Sequence, residues 1–101
     1  MKPENANPKN FEVEEVIYND GEFSVAYGRW QNQPVKQLGM RWNGDADDDA
    51  GYPKVFGNPM WFLLSSDLKE IFLRSLLESD SSNKPAILEI LLKEMKAAAS
   101  S

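Results

Sequence analysis

A chain of 101 residues is long enough for one domain and short for two, and its 42% hydrophobic and 27% charged residues are those of an ordinary globular protein. At a net charge of −5 and a pI near 4.6 it lacks the clustered basic excess a phosphate-backbone binder needs, which argues against nucleic acid as a partner. With no Cys and no His, disulfides, thiolate chemistry, Cys-ligated zinc and serine triads of the usual kind are excluded.

Residues 1–10, MKPENANPKN, carry two Pro and three Asn without apolar periodicity and read as a flexible leader. They contain no apolar signal region, and no apolar run in the chain approaches the ~20 residues of a membrane span, so a soluble cytoplasmic protein is expected. Phe11 to Tyr18, FEVEEVIY, is rich in β-formers, and Asn19, Asp20 and Gly21 give a hairpin signal before EFSVAYGRW. With Asp20 and Gly21 central in the turn, Tyr18 faces Phe23, Val16 faces Val25, Glu14 faces Tyr27 and Glu12 faces Arg29. That register sets apolar pairs near the turn and opposite charges at the open end. Phe11, Val13, Ile17 and Trp30 fall on the other face, so one side of the hairpin is expected to meet helices and the other a partner.

After the polar link 31–34, VKQLGMRW alternates as a third strand, with Leu38, Met40 and Trp42 on one face and Val35, Gln37, Gly39 and Arg41 on the other. Gly39 suits a bulge or a close approach by another group. Residues 43–58 then make a loop longer than the usual connection, a length more often associated with function or mobility. Pro59 to Leu64, PMWFLL, has the length of a strand and is apolar throughout, which predicts a central place in the sheet. Asp67 with Glu70 three residues on has the form of a capping box and opens a helix to about Glu78, carrying Leu68, Ile71, Phe72, Ser75 and Leu76 at helical spacing. Asn83 and Pro85 start a second helix whose stripe is Ile87, Leu88, Leu91, Leu92 and Met95.

The order β-β-β-loop-β-α-α predicts an α+β fold, an antiparallel sheet of about four strands with two helices on one face. One domain spans 11–96, between the leader and a frayed tail at 97–101. A domain this small buries a modest share of its surface, which makes a homodimer the expected state.

Two candidate sites lie in the Arg41 to Phe62 stretch. Asp45, Asp47 and Asp49 alternate in a way that can turn several carboxylates toward one hard cation, calcium being the obvious guest. Against an EF-hand loop begun at Asp45, however, position six is Ala50 rather than Gly and position twelve is Phe56 rather than Glu, so a solvated acidic loop is the plainer reading. The second candidate is aromatic: Trp42, Tyr52, Phe56 and Trp61, with Arg41 beside them, combine large apolar area with polar tips in a backbone set by Gly and Pro, as a ligand-binding surface requires. The same rings would also serve to cover one end of the core. Catalysis would have to rest on carboxylates, Lys, Arg, Tyr or Ser, and no motif specifies such a set.

The string RWNG, an acidic spacer, GYP and then FGNPMWF resembles a group of small uncharacterised bacterial proteins, some carried as integron gene cassettes. Arg41, Trp42, Asn43, Gly44, Gly51, Tyr52, Pro53, Gly57, Pro59, Trp61 and Phe62 carry the resemblance. It implies a compact, often self-associating product of a mobile accessory gene and brings no established activity with it. The expected function is therefore that of a small acidic binding or adaptor module, contacting a protein or small ligand through residues 42–62. Two other readings stand beside it: a cation-dependent or carboxylate-based enzyme using the loop 45–49, and an inhibitor or immunity-type protein neutralising a basic partner.

Overall fold

The structure is a computed structural model that describes residues 1–31, 33–45 and 49–100. β-Branched and aromatic residues alternating with polar ones put Phe11–Asn19 (β1), Phe23–Trp30 (β2) and Gln37–Trp42 (β3) into one antiparallel sheet. A short strand, Phe62–Leu63 (β6), completes it in the order β1-β2-β3-β6. Between β3 and β6 the chain makes a separate small hairpin, Lys54–Val55 (β4) with Asn58–Pro59 (β5). Two helices follow, Lys69–Leu76 (α1) and Lys84–Ser100 (α2), so the α+β architecture with a four-stranded antiparallel sheet holds. No helix among the described residues is long and apolar enough to cross a membrane.

The β1–β2 register agrees with expectation only at the open end, where Glu12 lies opposite Arg29. Two irregularities, at Val13/Glu15 and Val16/Tyr18, then slide β1 along its partner, so that Glu15 faces Tyr27 and Tyr18 faces Val25. The turn imposes this shift. Asp20 accepts the N–H groups of Glu22 and Phe23 at 2.9 and 2.8 Å, and Asn19 accepts that of Gly21 at 2.9 Å. These bonds stabilise a wider loop closed by the Asn19–Ser24 pair. Bulges also re-aim side chains: Ile17 joins Val25, Tyr27 and Leu38 under the helices, while Phe11, Val13 and Trp30 stay on the opposite face.

Apolar residues on both faces thus acquire separate covers. On the helix face Ile17, Val25, Tyr27 and Leu38 pack against Leu73 of α1 and Ile87 and Ile90 of α2. A polar staple joins the same layers: the Tyr27 hydroxyl donates to Glu94 Oε1 at 2.8 Å, and Lys69 Nζ lies 2.9 Å from that oxygen while donating to the Lys36 carbonyl at 2.8 Å. Burial first, and the Glu94 carboxylate second, push the Tyr27 hydroxyl pKa well above its ordinary value. On the opposite face Phe11, Ala26 and Trp61 form a second cluster covered by Ala6 of the first segment. Trp61 Nε1 donates to the Ala6 carbonyl at 2.6 Å. Single contacts of this kind leave no periodicity to read, which is why the packing of residues 1–10 has no sequence signature.

Three details depart from expectation. The apolar run 59–64 lies at the edge of the sheet rather than at its centre: Phe62 and Leu63 pair with Met40 and Gly39 of β3 as the last strand, while Pro59 belongs to the small hairpin. Helix α1 follows a 3-10 turn, Ser66–Leu68, with no side-chain cap at its start. Leu73 and Lys69 of α1, the latter held by Glu94 and the Lys36 carbonyl, are buried while Leu68 and Ile71 face outward. On α2, Asn83 Oδ1 does accept the Ala86 N–H, at 3.4 Å, and the Asn83 N–H ties the helix start to the Ile17 carbonyl at 2.8 Å. Leu88, Leu92 and Met95, however, are all more than half exposed.

Gly39 has the close neighbours its position on β3 suggested: an added Cβ would sit 3.1 Å from both Phe11 and Trp61. Gly39→Ala is therefore expected to lower stability by about 1–3 kcal/mol through overpacking, measured by urea unfolding. Wild-type stability in that variant would show that the second cluster is loosely packed.

Candidate functional site

Arg41, on the face of β3 opposite the helices, is 1% exposed. Its guanidinium donates to the carbonyl of Met60 at 2.6 Å and to that of Ala50, and lies 5.8 Å from the Trp61 ring. No carboxylate among the described residues is within ion-pair reach of it, and burial lowers its pKa. Arg41 is thus a clamp on the two arms of the long excursion, not a group presented to a ligand. Trp61, at 5% exposure, belongs to the same interior. Both were expected at a binding surface, and both are buried because the second sheet face needs cover.

The clamp decides where the other rings go. Trp42 and Tyr52 exchange both backbone hydrogen bonds, at 2.7 and 3.0 Å, as an isolated antiparallel bridge. Opposed residues of an antiparallel pair share a face, and Trp42 also lies opposite Phe23, ring edge to ring face at 4.8 Å between centroids. Phe62 lies opposite Met40, two residues along β3. Trp42, Met40, Tyr52 and Phe62 therefore share the sheet face on which the helices pack, and diagonal neighbours in such a sheet stand ~7–8 Å apart. Trp42, Tyr52 and Phe62 are 52%, 66% and 63% exposed. They form an aromatic row along the edge of the sheet that the helices leave open. Phe62 was absent from the expected site, although period-two alternation turns it outward once Trp61 is inward.

The hairpin β4–β5 carries the remaining ring. Phe56 and Gly57 have φ of 51° and 79°, the left-handed pair of a type I′ turn, where Asn-Gly is the favoured sequence. A phenylalanine there is strained, and its ring is 99% exposed. Beneath the tip a cleft of about 620 Å³ runs between the hairpin and the first segment, lined by Pro8, Asn10, Val55, Pro59 and Met60 among others.

The acidic loop is organised from within. Asp49 accepts the Gly51 N–H at 2.9 Å and the Asp45 N–H at 3.2 Å, and these bonds hold its carboxyl below the usual carboxylate range. Gly44, at φ 89°, is where a Cβ would collide with the Asp49 side chain. Asp47 lies outside the described residues, and among those described no group of three acidic side chains converges. Asn43, which sequence reasoning did not single out as a site residue, is 4% exposed. It accepts from Ser24 Oγ at 2.7 Å, donates to Asn19 Oδ1 at 3.1 Å and donates its backbone N–H to Glu22 at 2.7 Å, locking the loop start to the β1–β2 turn.

Arg41→Met should lower stability by about 2–4 kcal/mol, since two carbonyls lose charged donors. Arg41→Lys should fail to restore it, because an ammonium cannot reproduce the planar fork; chemical unfolding followed by Trp emission tests both. A depressed carboxylate pKa contributes stability that is present above the unfolded value, near 3.9, and is lost as pH falls through the folded value. Asp49→Asn is accordingly expected to be less stable than wild type at neutral pH and to close that gap below about pH 3.9, and a pH-independent difference between the two would contradict the assignment. Comparison of the chain with known protein families, with curated proteins and with solved structures returns no match.

Proposed function

We propose that the protein is a small homodimeric binding module that engages a protein partner through the row Trp42, Tyr52 and Phe62, with the hairpin tip Val55–Phe56 as a flanking contact. The observation that carries the reading is the row itself: three large rings from three chain segments, brought onto one sheet face by backbone pairing, each more than half exposed. Isolated exposed apolar residues need no explanation, but contiguous aromatic patches on small domains mark contact surfaces. Tyr and Trp also supply much of the energy at protein interfaces, because they bury large areas with few torsions to fix. A protein fits better than a small molecule, since the row lies on an open sheet edge rather than within an enclosing pocket.

Affinity from ring burial should survive high salt, whereas a complex held by the net charge of −5 should weaken steeply. The test is capture from an extract of the source cells at low salt and at about 1 M salt, where the screening length falls to ~3 Å. The double variant Trp42→Ala/Phe62→Ala serves as the control, matched for helix content. The reading expects a partner retained at high salt and lost from the variant. A partner released by salt and indifferent to the variant would favour neutralisation of a basic protein instead, and a bound set unchanged by the variant would remove the aromatic row from the function.

A further inference from the structure

We infer that α2 is the self-association surface, with two copies packing this helix antiparallel about a two-fold axis at Leu92. The inference rests on the homodimer reading above and adds where the contact lies. Leu88, Leu92 and Met95 are 56%, 53% and 56% exposed, and at 100° per residue they make one narrow stripe beside the sheet-facing Ile87 and Ile90. No other element among the described residues covers it. The adjoining cleft between the helices, about 300 Å³, is lined by Leu73, Leu91 and Met95 together with Lys69, Glu70 and Glu94, and it extends the apolar surface toward α1.

Two features single out a second copy as the occupant. The stripe is self-complementary under reversal: with Leu92 over Leu92, Leu88 of one copy meets Met95 of the other, and the reciprocal pair forms by symmetry. The charges on the flank away from α1 are complementary in the same alignment. Glu89 of one copy comes, along the helix, between Lys93 and Lys96 of the other, because an antiparallel two-fold sets the same flank of both helices together. Glu89 and Lys93 are well exposed and already form an i,i+4 pair at 3.4 Å. Such exposed charges contribute little affinity, so their part is to select orientation.

The deciding measurement is sedimentation equilibrium of the full chain up to high micromolar concentration, with circular dichroism to confirm that each variant folds. Leu92→Glu places two carboxylates at the axis and should raise the dimer dissociation constant about tenfold or more, with helix content unchanged. Glu89→Lys and the double variant Lys93→Glu/Lys96→Glu should each weaken the dimer, and mixing the two should restore association as a heterodimer, because opposite charges then face each other. Failure of that mixture to associate overturns the antiparallel arrangement. A wild-type dimer untouched by Leu92→Glu overturns the α2 surface while leaving the homodimer standing. A wild-type monomer at the highest concentration overturns both.

Discussion

A single buried cation ties the long loop to the sheet. Arg41 uses one guanidinium to hold the carbonyls of Ala50 and Met60, and these two points bracket the stretch that carries Tyr52 and the small hairpin. Planarity matters here, since two donors in a fixed fork set two backbone positions at once. With the loop ends pinned, Tyr52 lies across from Trp42 and Trp61 drops onto Phe11. Interior packing and exterior display are therefore consequences of the same contact, made on opposite faces of one strand.

Much of the architecture was legible because it rests on short-range rules. Alternation over 37–42 assigns Leu38, Met40 and Trp42 to one face and Gly39 and Arg41 to the other, as observed. The Asn83 cap is similarly local, needing only an amide side chain three residues ahead of an N–H. Failures came where one element's geometry depended on a distant one. Apolarity from Pro59 to Leu64 suggested a central strand, but Trp61 buries one face of that segment while Phe62 leaves the other exposed, and only Phe62 and Leu63 pair with the four-stranded sheet, Pro59 pairing with Lys54 in the small hairpin. The shifted register of the first hairpin arises in side-chain bonds of Asn19 and Asp20, which strand pattern alone does not contain.

The aromatic half of the loop shows the same limit in functional terms. Composition singled out the stretch but could not divide its rings, because Trp42 and Trp61 are equally apolar and only topology separates them. One ring faces the edge left open by the helices, while the other fills space beneath the first segment. The acidic half has a comparable split: Asp49 is committed to backbone N–H groups, and Asp45 contributes its own N–H to that carboxylate. Acidic spacing that resembles ligation can equally be the grammar of a turn.

Phe56 carries a consequence of its own. Its left-handed backbone and hydrated ring are both unfavourable in the isolated domain, and an Asn at the same turn position would relieve both. Under the function proposed above, stability and recognition are opposed at this residue: a change that favours the free domain would remove the ring offered to a partner, making the hairpin tip a point of trade-off between folding and contact.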